Sequence, residues 1–405
     1  MPPTTVPPTT VAVIGANGHG RSHRRLIAPL HAERRLRLVA LVDVQPVRDE
    51  PEAPIPPGVE VFTDHRAMLA ATRPEVVVIC TPPHTHLPIA RDALAAGADL
   101  LLEKPPVLSL AEHEELTDAL AATGRVAQIG FQALGSAALT ALTDALAAGR
   151  LGAVTRIATV AAWQRPDAYY ARSPWAGRRF LDGRPVLDGA LVNPLAHAVM
   201  QCLAVAEALG GAPPWPAAIE VERYRVRPIE VEDTAVLRVR FRAGPPVLAA
   251  VTLVAEEFVA GEVVVTGTTG QAVLEYPTDR LRLPGDVVTR RIPGRRGLLE
   301  NLLAHRADPA GVPLIAPLAR TAPFTALLDA LRAAPEPRLL DGDLVDVVDD
   351  AGQRARHLRG VVDVLRRSAE QGALPSEWGV PWATPPYRAQ LTAHPQAGAA
   401  SRKIR

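Results

Sequence analysis

The chain contains very little lysine. Lys and Arg together number 44, yet the only lysines are Lys104 and Lys403. Almost every cation is therefore arginine, but Lys104 is kept between an apolar run and two prolines in "ADLLLEKPPVLSL". This pattern favours a role at Lys104 for which a guanidinium is unsuited, such as that of a compact ammonium that can share or lose a proton.

Other scarce features exclude several classes of protein. Cys80 and Cys202 are too few and too far apart for a disulfide framework, and the 11 histidines are dispersed, so we predict no metal site. Redox chemistry would then require a cofactor. The net charge is +1 without a basic cluster, which argues against nucleic acid and anionic membranes and favours a small-molecule partner.

No sequence feature indicates a membrane or a secretory route. The chain has no uninterrupted apolar run of about 18 residues, and the segment "MPPTTVPPTT" lacks the basic and apolar regions of a signal peptide. A cytoplasmic location is therefore expected.

The first part of the chain alternates short apolar runs with helical stretches. Residues 11–132 contain six candidate strands, "VAVIGA", "LRLVALVDV", "VEVFTD", "EVVVICTPP", "ADLLLEKPP" and "RVAQIGFQ". Runs that are apolar throughout suit a parallel sheet buried on both faces. Helices are predicted at 20–33, 84–97 and 109–124. The pattern predicts a doubly wound α/β domain of the Rossmann type.

The pattern changes after a predicted helix at about 136–149. Segments such as "IEVERYRVR" and "VLRVRF" alternate apolar and charged residues, which is typical of a sheet with one solvated face. Residues 133–385 are therefore predicted to form an α+β domain with a largely antiparallel open sheet. Its helices are expected at about 194–210, 322–333 and 351–371. Residues 1–10 and 386–405 lack periodicity and are predicted to be flexible.

A glycine-rich turn joins the first strand to the first helix. Glycines there permit a tight turn and let phosphate oxygens approach the backbone at a helix N-terminus, although a turn that merely needs positive φ is the alternative. Asp43 ends the second strand, where a carboxylate could accept hydrogen bonds from an adenosine ribose. Together they predict a dinucleotide, with NAD favoured over NADP because Asp43 would repel a 2′-phosphate. The candidate turn contacts are Gly15, Asn17, Gly18, His19 and Gly20.

Two further strands end at the same edge of the predicted sheet. Thr81 and Pro82 follow the fourth strand in "CTPPHTH" and are candidates to line the cofactor groove. His84 and His86 either cap the next helix or face the ligand. Lys104 follows the fifth strand, and the alternative for it is a surface ion pair with Glu103.

A second group of candidates lies in "DGALVNPLAHAV". Asn193 followed by Pro194 predicts an N-cap with proline at the first helical position, which places His197 in the first turn. That end of a helix disfavours imidazolium, so His197 would stay neutral and able to accept a proton. A structural histidine at a domain contact is the alternative.

The segment "WQRPDAYYARSPWAGRRF", residues 163–180, holds five of the 16 aromatic residues. Aromatic rings interleaved with Arg and Asp could stack on a sugar and bind its hydroxyls. They could equally be buried in an oligomer interface. Both interpretations remain open.

Taken together, the glycine-rich turn, "CTPPHTH", "LLLEKPPVL" and "NPLAH" resemble the Gfo/Idh/MocA family. The resemblance implies an NAD(P)-dependent dehydrogenase or reductase of sugars, sugar acids, cyclitols or related polyols. It also implies an open C-terminal sheet that serves homo-oligomerisation, as a dimer or tetramer. By the same resemblance Lys104 would be the substrate-side lysine and His197 the proton-transfer residue, while Glu103 and Pro105 would shape the cofactor groove.

The sequence departs from the family pattern at two positions. Asn17 replaces the middle glycine of the turn, and Asn193 replaces the usual aspartate four residues before His197. Asp188, five residues earlier, is the alternative source of that carboxylate. An NAD-dependent glycosidase without net redox and a non-catalytic sugar sensor of the same fold are the competing functions.

Overall fold

The structure is a computed structural model that describes residues 7–350 and 352–391. The chain forms two compact units. The first comprises the chain up to Gly130 together with Gly297–Ala319, and the second comprises Phe131–Arg296 and the chain from Arg320 onward. None of the described helices is long and apolar enough to cross a bilayer.

The first unit is built on a six-stranded sheet in which every neighbouring pair is parallel. Its strand order is β3-β2-β1-β4-β5-β6. Apart from Thr10 and Asp99 at their starts, the central strands β1, β4 and β5 are apolar and buried, as the sequence pattern predicted, and the Rossmann-type fold is confirmed. The strands are β1 Thr10–Ile14, β2 Arg37–Val42, β3 Glu60–Phe62, β4 Val76–Ile79, β5 Asp99–Leu102 and β6 Ala127–Ile129.

The described helices include α1 Gly20–Ala32, α2 His65–Thr72, α3 His86–Ala95, α4 Leu110–Thr123, α5 Ala137–Ala147, α6 Ala196–Gly210, α7 Leu298–Ala307, α8 Leu318–Arg332 and α9 Val361–Gln371. Local signals explain several of these boundaries. The Ser109 side chain accepts a hydrogen bond from the Glu112 amide and caps α4, which then ends at Gly124 in the left-handed conformation. Sequence analysis did not single out α2, although Asp64 caps it in the same way.

The segment that contains α7 belongs to the first unit, although the predicted boundary placed it in the second. Gln128, on the edge strand β6, binds this later segment of the chain to the first unit. Its amide nitrogen donates to Asn301 Oδ1 (2.6 Å), and its amide oxygen accepts from the Ala316 backbone (2.8 Å). The Ile129 amide donates to the Ala316 carbonyl, so the returning chain covers polar groups that the sheet edge would otherwise expose.

The second unit contains a ten-stranded mixed sheet. Its order is β16-β15-β14-β13-β7-β12-β11-β10-β17, and β20 also pairs with β10. Only the pairs β7–β12 and β10–β17 are parallel, so the predicted, largely antiparallel open sheet is confirmed. The strands, with those of two separate hairpins, are β7 Val154–Gln164, β8 Phe180–Leu181, β9 Arg184–Pro185, β10 Pro216–Arg225, β11 Thr234–Phe241, β12 Val247–Thr252, β13 Val254–Gly267, β14 Gly270–Glu275, β15 Arg280–Arg282, β16 Arg290–Arg291, β17 Arg338–Leu339, β18 Val345–Asp350, β19 Gln353–Leu358 and β20 Tyr387–Gln390.

Two predictions for the C-terminal part are wrong. The helix expected at 351–371 begins only at Val361, because the preceding residues form β19, which pairs with β18 across a turn at Gly352 (φ +79°). The tail expected to be flexible from residue 386 instead begins with β20, whose pairing with β10 satisfies that strand's edge. Residues 1–6 and 392–405 of the two predicted flexible ends lie outside the described residues.

Helices α6 and α9 both pack on the central strands β7, β12 and β13. Helix α9 presents Val361, Val362 and Leu365 to a core that also contains Val160 and Leu248. Helix α6 is buried along most of its length, from Ala196 to Ala206. The start of α6 is therefore held rigidly, which matters because His197 lies there.

Candidate functional site

The glycine-rich turn after β1 lies against the end of β4. A Cβ atom at Gly15 would lie 2.8 Å from the Cys80 backbone carbonyl, and Gly15 also has φ +83°. A Cβ at Gly20 would lie 1.9 Å from the Gly15 oxygen. At both positions the neighbouring backbone atoms leave no room for a side chain, so glycine is required. The strand order reverses between β1 and β4, and that point is where ligands bind in such sheets.

Asp43 ties this turn to the end of β2. One carboxylate oxygen accepts a hydrogen bond from the Asn17 amide and the other from the Gln45 amide, both at 2.9 Å. The Asn17 side chain donates to the Gln45 carbonyl (3.3 Å). A carboxylate has about four acceptor sites, so Asp43 retains the capacity to bind ribose hydroxyls. Asn17, in place of the family's glycine, reinforces the same link.

Glu103 is the centre of a buried charged cluster at the start of α1. Its Oε1 accepts from His23 Nε2 at 2.8 Å and lies 3.3 Å from His19 Nε2. Burial alone would raise the pKa of Glu103, but the hydrogen bonds from the two imidazoles bring that pKa well below its usual value. The hydrogen bond to Glu103 raises the pKa of His19. Glu103 is buried, so it is not half of a surface ion pair with Lys104.

His86 joins two of the loops at the sheet edge. It is 1% exposed, and its ring nitrogens lie 2.9 Å from the Pro105 carbonyl and 2.8 Å from the Thr81 carbonyl. Burial lowers its pKa. His86 is therefore a support for the Thr81 and Lys104 loops, and the predicted roles in helix capping or direct ligand contact do not fit its position.

The second unit brings Asp188 and Asn193 together. The Asn193 amide donates to Asp188 Oδ1 at 2.6 Å. The other carboxylate oxygen accepts from Arg172 (2.6 Å) and from the Gly177 amide (2.9 Å). Asp188 is 3% exposed. The Arg172 guanidinium balances the charge of this buried carboxylate, and the Asn193 and Gly177 amides hold it in place.

The predicted N-cap at Asn193 is wrong, because α6 begins at Ala196 after a turn and its N-cap residue is Leu195. His197 does lie in the first turn, as predicted. Its ring packs edge-on against Phe131 and lies 6.1 Å from the Tyr276 ring, centre to centre. Burial raises the pKa of Tyr276 to about 12, so its hydroxyl stays protonated at neutral pH.

The aromatic segment 163–180 packs against two parts of the second unit, the Asp188 carboxylate and the cluster that contains Tyr276. Trp163 packs against the cluster that contains Tyr276, and its indole nitrogen donates to the Ala260 carbonyl at 2.9 Å. The Arg172 guanidinium lies over the Tyr169 ring (3.8 Å) while bonding Asp188. The segment also lines a cavity of about 490 Å³. These contacts place the segment against Asp188 and against the cluster that contains Tyr276, and they fit either of its two predicted roles.

A family model matches the first part of the chain. The model of the Gfo/Idh/MocA oxidoreductases, described as an NAD-binding Rossmann fold, matches residues 9–131. This match, over less than half of the chain, identifies residues 9–131 as an NAD-binding domain of the Gfo/Idh/MocA type.

Two curated relatives each match about a third of the chain. The D-glucoside 3-dehydrogenase of Escherichia coli is 32% identical over 128 residues, which are 31% of this chain and 36% of that protein. An inositol 2-dehydrogenase of Streptomyces avermitilis is 34% identical over 145 residues, covering 35% and 41% of the two chains. The match therefore spans only about two fifths of the length of each of these relatives.

Solved structures extend the likeness in fold to both units. The WlbA dehydrogenase of Bordetella pertussis, in complex with NADH and UDP-GlcNAcA, has a TM-score of 0.65 at 22% identity and covers 82% of this chain and 100% of its own. An inositol dehydrogenase homologue of Azotobacter vinelandii, with NADH and myo-inositol, has a TM-score of 0.61 at 18% identity, covering 80% and 96%. At these identities the likeness shows the fold alone.

His23 and Arg172 are functional candidates that the sequence pattern did not predict. His19 and His23 are four residues apart at the start of a helix, so their side chains share one face. That spacing is a local signal in the glycine-rich turn, and it contradicts the prediction that the histidines are dispersed. No local pattern indicated that Arg172 would reach Asp188.

Replacing Asn193 by Asp, the usual family residue, should destabilise this chain rather than restore a family feature. The new carboxylate would face Asp188 Oδ1 at about the present 2.6 Å and would lack the amide donor. We expect a loss of about 1–3 kcal/mol at neutral pH, because a buried acceptor loses its partner and meets a like charge.

Thermal unfolding at several pH values measures this effect, and the loss should shrink at low pH as one carboxyl becomes protonated. The exchanged pair Asp188→Asn with Asn193→Asp is the control, because it restores one donor and one carboxylate. An unchanged melting temperature for Asn193→Asp at neutral pH would show that this hydrogen bond is unimportant.

Proposed function

We propose that the chain is an NAD(P)-dependent oxidoreductase. It transfers hydride between a nicotinamide cofactor and the carbinol or carbonyl carbon of a sugar, sugar acid, cyclitol or related small polyol. The observation that carries the proposal is the turn after β1. There, Gly15 and Gly20 hold the backbone against β4 at the reversal point of a parallel sheet in a domain that matches the family.

The residues at this turn fit a dinucleotide. Amides at the start of α1 suit a pyrophosphate, and the Asp43 carboxylate suits the adenosine ribose. The bound nicotinamide would supply the hydride acceptor or donor. Thr81 and Pro82 follow the adjacent strand β4 and would border the same groove.

Lys104 and His197 are the residues proposed to handle the reacting oxygen. Lys104 would hydrogen-bond this oxygen and stabilise the negative charge that develops on it, and His197 would take the hydroxyl proton. The aromatic surroundings of His197, formed by Phe131 and Tyr276, limit water near that proton. Asp188 and Asn193 would shape the neighbouring loop rather than carry the proton.

The substrate class rests on the relatives and on the aromatic segment. The matching proteins are named for a glucoside and for inositol, which share vicinal carbinols on a six-membered ring. Trp163, in the aromatic segment, packs against the cluster that contains Tyr276, and the Tyr276 ring lies 6.1 Å from the His197 ring.

A panel of sugars, sugar acids and inositols tests this proposal. Each compound is incubated with NAD⁺, and the matching carbonyl compounds are incubated with NADH, while cofactor absorbance is followed. We expect saturable NADH formation or consumption with at least one polyol. Binding of NADH without turnover of any compound in either direction would instead favour the sugar sensor.

NADH should bind more tightly than NADPH. The carboxylate of Asp43 would face the 2′-position of the adenosine ribose, and the repulsion of a 2′-phosphate corresponds to about a 10–100-fold loss of affinity. Nicotinamide fluorescence titrations with both cofactors measure the difference. Asp43→Asn should reduce the difference in affinity between NADH and NADPH, because the amide keeps an acceptor without the charge. Equal or tighter NADPH binding to the unaltered protein would overturn the proposed role of Asp43 at the ribose.

A further inference from the structure

The cluster at the start of α1 brings three metal-ligating side chains together. His19 and His23 each offer Nε2 and Glu103 offers Oε1, and these three atoms all lie within 4.8 Å of one another. Among residues 7–350 and 352–391, no other group of three such side chains is this close. We propose that His19, His23 and Glu103 form a binding site for a divalent transition-metal ion such as Zn²⁺.

The helix sets the spacing of the two imidazoles. His19 is the N-cap of α1 and already has helical dihedral angles (φ −67°, ψ −25°), so His23, four residues on, lies on the same face. Two histidines four apart on a helix, completed by a carboxylate from elsewhere, are a donor set that holds zinc in proteins. Here the carboxylate comes from the end of β5.

The two distances from Glu103 to the imidazoles are close to those of a zinc site. Tetrahedral zinc with bonds of about 2.0–2.1 Å separates neighbouring ligand atoms by about 3.3 Å. His19 Nε2 and Glu103 Oε1 are already 3.3 Å apart, and the 2.8 Å pair of His23 and Glu103 would have to lengthen by about half an ångström. His19 is about half-exposed, so its side chain is able to move and an ion is able to enter.

Glu103 is oriented before any ion binds. Its second oxygen accepts from the Lys104 amide at 3.1 Å. A Cβ at Gly130 would lie 2.7 Å from that oxygen, so the absence of a side chain there makes room for the carboxylate. Partners that fix a ligand in this way strengthen a metal site. The carboxylate charge also offsets the positive end of α1, which would otherwise repel a cation.

The donor set selects the type of ion. Imidazole nitrogens suit Zn²⁺, Cu²⁺ and Ni²⁺, whereas Mg²⁺ and Ca²⁺ prefer oxygen ligands. Three protein ligands also leave one position of a tetrahedral ion for water. The alternative is that the shared carboxylate merely fixes the start of α1 by hydrogen bonding.

Isothermal titration of untagged, chelator-treated protein with Zn²⁺ separates these alternatives, with Mg²⁺ as the second titrant. We expect one equivalent of Zn²⁺ to bind saturably and Mg²⁺ to bind far more weakly. His19→Ala and His23→Ala should each weaken Zn²⁺ binding by about tenfold or more, since even the loss of a partner of a metal ligand costs about 10–100-fold.

His65→Ala is the matched control, because His65 Nε2 lies 2.8 Å from Asp92 in an imidazole–carboxylate pair outside the cluster. Thermal unfolding of each variant confirms that it is folded, and His19→Ala, at an exposed position, should melt close to the unaltered protein. The proposal is overturned by absent or non-stoichiometric Zn²⁺ binding, or by binding that the substitution at His19 leaves unchanged. NADH titration of the metal-free protein tests the proposed function separately.

Discussion

Replacing Lys104 by Arg should lower turnover by about 10²–10⁴-fold, the range typical for the loss of a positioned proton-transfer group. The fold and the cofactor affinity should change little, because the positive charge remains at the end of β5. What is lost is a small donor of adjustable pKa that can follow the reacting oxygen from alcohol to alkoxide. The longer planar guanidinium keeps its proton and its fixed shape.

The kinetic pattern is as informative as the size of the effect. If Lys104 acts on the developing charge, kcat and kcat/KM should fall together while KM changes little. Lys403→Arg is the matched control because it alters the only other lysine, and its kinetics should equal those of the unaltered protein. His197→Ala should lower turnover over the same range by removing the base. Undiminished turnover of Lys104→Arg would remove this residue from the mechanism.

Replacing Gly20 by Ala should abolish cofactor binding and destabilise the first unit by about 2–3 kcal/mol. The added Cβ would lie 1.9 Å from the Gly15 backbone oxygen, and backbone atoms have no flexible end that can move aside. The turn would have to open, and the amides at the start of α1 would leave the positions proposed for the pyrophosphate. Chemical denaturation and NADH fluorescence titration measure the two effects.

Gly18→Ala in the same turn is the control. A Cβ at Gly18 meets no atom within 4 Å, and the only penalty is the positive φ of 51°, which costs about 1 kcal/mol. The Gly20 variant should therefore be clearly less stable than the Gly18 variant. Equal stabilities of these two variants would show that the close contact with Gly15 does not constrain the turn.

The parallel sheet of the first unit could be predicted from sequence because its signal is local. Strands such as Val76–Ile79 are apolar at every position, and only a sheet covered on both faces buries every residue. The glycines at 15 and 20 and the carboxylate at 43 also follow a spacing that local geometry fixes. The structure places these residues together at the end of β1.

Most of the features that escaped prediction depend on contacts between residues distant in sequence. Gln128 recruits the segment around Ala316, almost two hundred residues later, and β20 completes an edge at β10. The Asn-Pro pair at 193–194 resembled a helix start, but the Asn193 amide is occupied by Asp188, and α6 begins after the turn. At Gln128 and β20 hydrogen bonds between distant segments override the local signal, and at Asn193 a bond to Asp188, five residues earlier, does so.

Transfer of a labelled hydride tests the central claim most directly. The best polyol from the panel, deuterated at the oxidised carbon, is incubated with NAD⁺, and both products are analysed by mass spectrometry. The proposed function predicts one deuterium in each NADH and one NADH for each carbonyl product. Turnover of a glycoside without net NADH formation would contradict it and would favour an NAD-dependent glycosidase.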